Sequence, residues 1–344
     1  MSSLDTGNSV SMEVSSILRF TQRRLKNLVF HYVLDEPPAS LLRNADDLGG
    51  VTTLSFDLAS YHDTRRAAGV LRRAHAATSL SLLVTGEFYE EGMSFLSCTQ
   101  TIFADWHAGY EKLKIRRLNC YEYDFEQCSD IVARALSPLH FRELTMDKCR
   151  NTNFLLKELQ EAKFTLTELS NDRTIHDIEP ETEMQDYLRS YSGLRSLRVT
   201  TASESVHPPD FDWSAVQPHA ATLRTLFLDD FLEESRPLDD VEIDRTVDGL
   251  ETMLVDCTGL EQLAIRAPSP DAACPHPDYG TYAEFLECIK PLAKLRTLRL
   301  FIYLDKLKSP RGYRTSWLEP TSALRREVTE LYLQNLATGI FNTL

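Results

Sequence analysis

The chain has 344 residues, a formal net charge of −14, 42% apolar residues and 26% charged residues. That composition is globular, and the length suffices for one large domain or two ordinary ones. The acidic balance excludes a general electrostatic affinity for nucleic acid or for an anionic membrane, because both need positive potential.

Residues 1–24 begin polar and carry no apolar run behind positive charge, so no secretory signal is expected. Val10, Val14, Ile17 and Leu18 fall at helical spacing and predict one short helix capping the open end of a core. From Leu25 onward one unit recurs. Its clearest form is Leu295-Arg-Thr-Leu298-Arg-Leu300, an L-x-x-L-x-L pattern that returns at Leu194/Leu197/Val199, Leu223/Leu226/Leu228 and Leu260/Leu263/Ile265. With any apolar residue allowed at the key positions, it also occurs at Leu25/Leu28/Phe30, Val51/Leu54/Phe56, Phe141/Leu144/Met146 and Val328/Leu331/Leu333. Weaker copies are Ala77/Leu80/Leu82, Ile115/Leu118/Cys120 and Leu166/Leu169/Asn171. The middle residue is leucine in all eleven, and the copies start about 30 residues apart on average, a repeat-array period.

The last two key residues of each unit are two apart, so a strand sends both to one face. The first lies on the bend that enters the strand. Stacking such units in parallel buries the three as one continuous core. Between them, helical stripes are predicted at Ala67/Val70/Leu71/Ala74, at Ile131/Val132/Ala135/Leu136/Leu139, at Met184/Tyr187/Leu188/Tyr191 and at Tyr282/Phe285/Leu286/Ile289. Parallel strands need such crossovers. The expected fold is α/β: a curved solenoid of about eleven irregular repeats, parallel strands concave and helices convex, with 1–24 as a cap or tail and 25–344 as the solenoid.

These units resemble the leucine-rich-repeat family, in its irregular, long-repeat form. The narrower likeness is to the repeat region of fungal F-box/leucine-rich-repeat proteins. The family consensus continues with Asn or Cys three residues after the last key position, and here only Cys149 fits. That implies uneven curvature. The resemblance implies a non-catalytic protein-interaction module, the substrate-recognition part of an F-box-like ubiquitin ligase receptor. An F-box module does not fit in the 24 residues before Leu25, so a Skp1-type adaptor is an expected partner only with a longer chain. The alternative is a stand-alone scaffold, and a hydrolase is a remote third.

On the concave face the strand residues are small in the early repeats and become Arg or aromatic later. Those types dominate binding hot spots. The candidate partner site is therefore Arg198, Phe227, Asp229, Arg266, Arg299, Phe301 and Tyr332. Lys26, Arg116, Arg142, Arg195, Arg224 and Arg296, each just after a first key residue, predict a basic rim at the strand entry. Asp57, Asp147, Asp172 and Asp229 mark the strand exit with the opposite sign. The stretches 200–214, 229–244 and 267–280 are expected to be long loops on that exit rim, the second rich in Asp and Glu and suited to a basic segment.

No phosphate-binding glycine loop, serine-nucleophile elbow or paired-histidine zinc motif occurs, and no catalytic residue or cofactor is expected. Cys257, Cys274, His276 and Cys288 lack the paired short spacings of a zinc site, so no metal is expected. The seven cysteines form no Cys-x-x-Cys and are expected to be reduced thiols in a cytoplasmic or nuclear protein.

Overall fold

The structure is a computed structural model that describes residues 3–5, 26–30, 48, 50–85, 88, 94–107, 111–173, 182–202, 212–231, 250–266, 287–301 and 334. Its strands are β1 (Ser3–Asp5), β2 (Asn27–Phe30), β3 (Thr53–Leu58), β4 (Ser79–Val84), β5 (Arg117–Tyr121) and β6 (Glu143–Cys149). They continue as β7 (Glu168–Arg173), β8 (Ser196–Ala202), β9 (Thr225–Phe231), β10 (Gln262–Arg266) and β11 (Thr297–Phe301). All pair in parallel in a single sheet whose spatial order is the chain order. Each crossover thus adds its strand to the same growing edge, which is the topology of a solenoid-like array rather than of a doubly wound sheet.

Ten of these strands fall on the segments predicted between residues 25 and 300, and the segment at 328 lies outside the described residues. Within 1–24 the described residues are those of β1, where Leu4 pairs with Leu28 on β2. The predicted capping helix through Val10 and Leu18 lies outside the described residues.

The middle leucines of successive repeats meet in register. Leu28 faces Leu54, which faces Leu80, then Leu118, Leu144, Leu169, Leu197, Leu226, Leu263 and Leu298. From Leu54 to Leu263 every member is buried. A one-residue slip anywhere would turn that repeat's leucine to the opposite face, so the ladder fixes the register. A second ladder runs along the entry edge. The carbonyl of Thr78 accepts from both Arg116 N–H and Arg117 N–H, and that of Arg116 accepts from both Arg142 N–H and Glu143 N–H. The same double acceptance recurs at Lys26, Thr52, Arg142, Thr167, Arg195, Arg224 and Glu261. Backbone bonding between repeats therefore begins before the strands do.

The third key row is mixed. Cys120, Met146, Asn171 and Val199 are neighbours in it, all buried. Cys149, the one match to the family consensus, donates from Sγ to the Cys120 carbonyl at 3.3 Å, reaching back one repeat. Asn171 is an amide in an apolar row. Its Nδ2 donates to Thr152 Oγ1 at 3.4 Å, while its Oδ1 is buried without a hydrogen-bond partner among the described residues.

The helices among the described residues are α1 (Tyr61–Arg73), α2 (Phe95–Ile102), α3 (Ala104–His107), α4 (Ser129–Ala135), α5 (Thr152–Glu161), α6 (Thr182–Arg189) and α7 (Leu250–Asp256). α1 starts on a capping box in which Ser60 and Asp63 bond reciprocally, and its Ala67, Val70 and Leu71 are buried. α1 packs on α2, α4 on α5, and α5 on α6, so the helices stack as the strands do. One predicted detail differs. Leu139 belongs to no helical stripe: α4 stops at Ala135, Pro138 disfavours helix in the residue before it, and Leu139 is 80% exposed. Between β8 and β9 the described residues hold two three-residue 3-10 turns, Trp213–Ala215 and Gln217–His219, with Pro218 inside the second.

Candidate functional site

Strand residues alternate between the buried row and a half-exposed outer face. In β3 the buried residues are Leu54, Phe56 and Leu58, and the partly exposed ones are Thr53, Ser55 and Asp57. The same parity puts Asn119, Thr145, Ser170, Arg198, Phe227, Ala264 and Arg299 in one outer row, paired strand by strand. One step towards the exit lies the row Tyr121, Asp147, Asp172, Thr200 and Asp229.

Four residues of the sequence-predicted site, Arg198, Phe227, Asp229 and Arg299, fall in these rows. The Arg198 guanidinium lies over the Phe227 ring, 4.6 Å from its centroid. Arg299 is exposed in the same row, two strands beyond Phe227 with the buried Ala264 between, or about 10 Å away at the usual strand spacing. Asp229 is the register partner of Thr200. Arg266 and Phe301 are register partners of each other on β10 and β11. The side chains of Asp229, Arg266 and Phe301, and the whole of Tyr332, lie outside the described residues.

The structure adds groups that period-two reading does not single out. β6 carries a register irregularity between Asp147 and Cys149, and Lys148 sits there at a φ of 52°. Glu122, the residue after Tyr121 at the end of β5, has a φ of 54°. Left-handed backbone costs a non-glycine residue about 1–2 kcal/mol. At Lys148 it accompanies a bulge of the kind that re-aims a side chain. The Lys148 Nζ donates to the Tyr121 hydroxyl at 2.9 Å and lies 5.2 Å from that ring's centroid. Two cation–ring pairs, Lys148–Tyr121 and Arg198–Phe227, thus bracket two carboxylates, Asp147 and Asp172, on adjacent strands. Beside Asp172 on β8, Thr200 is only 8% exposed and its Oγ1 has no hydrogen-bond partner among the described residues.

Burial, and then the neighbouring Asp147 carboxylate, push the Asp172 carboxyl above the usual range, and Arg198 and Lys148 only partly oppose them. A raised folded-state value means that the folded chain holds its proton to higher pH than the unfolded chain does. Stability therefore falls as pH rises through the carboxylate range, and at neutral pH the charge opposes folding. Asp172→Asn is expected to melt at a higher temperature than the parent at pH 7, with the gap closing as pH falls through that range. An equal or lower melting temperature at pH 7 would contradict this account of the pair.

The entry rim is basic as predicted, and its Arg116, Arg142 and Arg224 are engaged in the fold. Arg142 donates to the carbonyls of Phe141, Pro138 and Leu139 at 2.7, 2.8 and 2.9 Å. Arg224 Nη1 donates to the Gly259 carbonyl at 2.7 Å. Arg116 and Arg117 share the buried Glu143 carboxylate, the former at 2.8 Å. These arginines tie turns and neighbouring repeats together.

Among the described residues no three His, Cys, Asp or Glu side chains are grouped to hold a metal, and no helix is long and apolar enough to cross a membrane. Cys257 and Cys288 are buried, and Cys274 and His276 lie outside the described residues. Burial pushes the Cys128 and Cys257 thiols up to about 12, well away from nucleophilic thiolates. Compared with known proteins, the chain matches no protein-family profile and no curated protein.

Proposed function

We propose that this chain is a leucine-rich-repeat solenoid of the irregular, long-repeat type, and that it acts as a non-catalytic protein-interaction module. The partner sits on the outer face of the sheet. The observation that carries this is the assembly of Tyr121–Lys148, Asp147–Asp172 and Arg198–Phe227 across β5 to β9, where ring-stacked cations and paired carboxylates stand on a half-exposed face. Such a mixture of aromatics, Arg and desolvated charge is what alanine scans find at interface hot spots. Parallel strands also supply a rigid platform, so an incoming chain meets side chains that are already ordered.

The narrower proposal is that the module is the substrate-recognition arm of an F-box-like ubiquitin ligase receptor. Its alternative is a stand-alone scaffold. Affinity capture with mass spectrometry tests both levels. Arg198→Ala combined with Phe227→Ala is expected to lose the proteins captured by the parent chain, and an unchanged set would refute the outer-face site. A Skp1-type adaptor recovered with a chain extended upstream supports the ligase link. Recovery of partners without that adaptor supports the scaffold.

A further inference from the structure

The exit row has a chemical bias that narrows the partner. Asp147 and Asp172 are register neighbours on parallel strands, about 5 Å apart across the sheet. The cations nearest them, Lys148 and Arg198, lie against the Tyr121 and Phe227 rings and only partly offset the charge of the pair. The next residue in the row, Thr200, holds a buried hydroxyl oxygen with no partner among the described residues. Beyond it the row continues at Asp229, and the sequence from there carries Asp230, Glu233, Glu234, Asp239, Asp240, Glu242 and Asp244 within a chain of net charge −14. The row thus offers two carboxylates and a hydroxyl without a partner among the described residues, with the Tyr121 ring at its β5 end.

We infer that the row Asp147, Asp172 and Thr200, flanked by Tyr121, is the docking site for a basic, extended segment of a protein partner, one of whose lysine or arginine side chains seats its charged end between the two carboxylates. An ammonium or guanidinium there supplies a cationic donor to the two carboxylates. The stem of such a side chain packs along the Tyr121 ring. The raised Asp172 carboxyl agrees with this geometry: the pair repels itself until a cation arrives. The inference rests on the outer-face reading above and specifies its partner's chemistry.

The test is fluorescence anisotropy on the full chain at physiological salt. The probes are a labelled peptide of alternating lysine and glycine, the same peptide with every lysine acetylated, and a glutamate–glycine peptide. Asp147→Asn with Asp172→Asn is compared with Glu111→Gln with Glu161→Gln, which removes two exposed carboxylates elsewhere on the chain. The expected result is binding of the lysine peptide alone, weakened at least tenfold by the Asp147/Asp172 pair of changes and less than twofold by the control pair. Thermal melts establish that both variants fold, and both substitutions are near-isosteric. Equal weakening by the two pairs, binding of the acetylated peptide, or no binding of the lysine peptide to the parent chain overturns the inference. If captured partners are lost on changing Arg198 and Phe227 but kept on changing Asp147 and Asp172, the outer face stands as the interface and the basic segment falls. If neither pair of changes releases them, both proposals fall.

Discussion

Leu144→Ala is expected to lower the stability of the fold by about 2–5 kcal/mol, the range found when a buried leucine is cut back to alanine. Leu144 is 1% exposed, between Leu118 on one side and Leu169 on the other. The void would open at the centre of the leucine ladder, where neighbouring strands hold one another in register and cannot collapse inwards independently. Marginal stability makes such a loss a large fraction of the total. The check is the urea unfolding midpoint, with Phe154→Ala as a control. Phe154 is 36% exposed on α5 and is expected to shift the midpoint far less. Equal shifts would mean that the ladder is not the core of the array.

His219→Ala is the second large change. His219 is fully buried in the second of the two 3-10 turns described between β8 and β9. Its Nδ1 accepts from the Leu194 N–H at 3.2 Å and its Nε2 donates to the Leu188 carbonyl at 2.9 Å, which fixes the neutral tautomer. The ring packs edge-on against Tyr191, with centroids 4.7 Å apart. Removing it leaves a buried donor and a buried acceptor unpaired, at about 1–3 kcal/mol each, besides a cavity. Burial holds its pKa below the ordinary value, against a smaller opposing effect of the Leu188 carbonyl. The unfolded chain therefore binds the proton more readily. The stability that neutral His219 supplies is complete above about pH 6.5 and declines as pH falls below it. Chemical denaturation between pH 7.5 and 5 is expected to show that decline in the parent and a shallower one in His219→Ala. Parallel curves would contradict the role given to this residue.

How much of this was legible in the sequence varied from element to element. The leucine ladder was legible because two requirements coincide at its positions: the strand's period of two and the burial of one face. β1 was not, since Ser3–Asp5 is three residues with a single apolar member, Leu4, and no period can be read from one residue. Leu139 misled because it continues the spacing of α4 past Pro138, and spacing alone does not register a backbone break. In the outer rows, parity located Arg198, Phe227, Asp147 and Asp172 correctly on one face. It missed Lys148, whose side chain reaches Tyr121 through an irregularity in β6 that abandons the period. It also missed Thr200, which is unremarkable as a residue type and becomes informative only because its hydroxyl is buried and unpartnered. The basic entry rim was legible as a pattern. Its bonds to the carbonyls of Phe141, Leu139 and Gly259 were not, because they depend on where loops from the same or the next repeat come to rest.

The most direct test of the outer face as the binding surface is site-specific photo-cross-linking in cells. A benzophenone amino acid replaces Tyr121, Phe227, Phe154 or Val255 one at a time. The first two lie on the outer face, and the others are exposed apolar positions on α5 and α7. The account predicts partner adducts from positions 121 and 227 and none from 154 and 255. Adducts that form from the helical positions and not from the strand positions would contradict it.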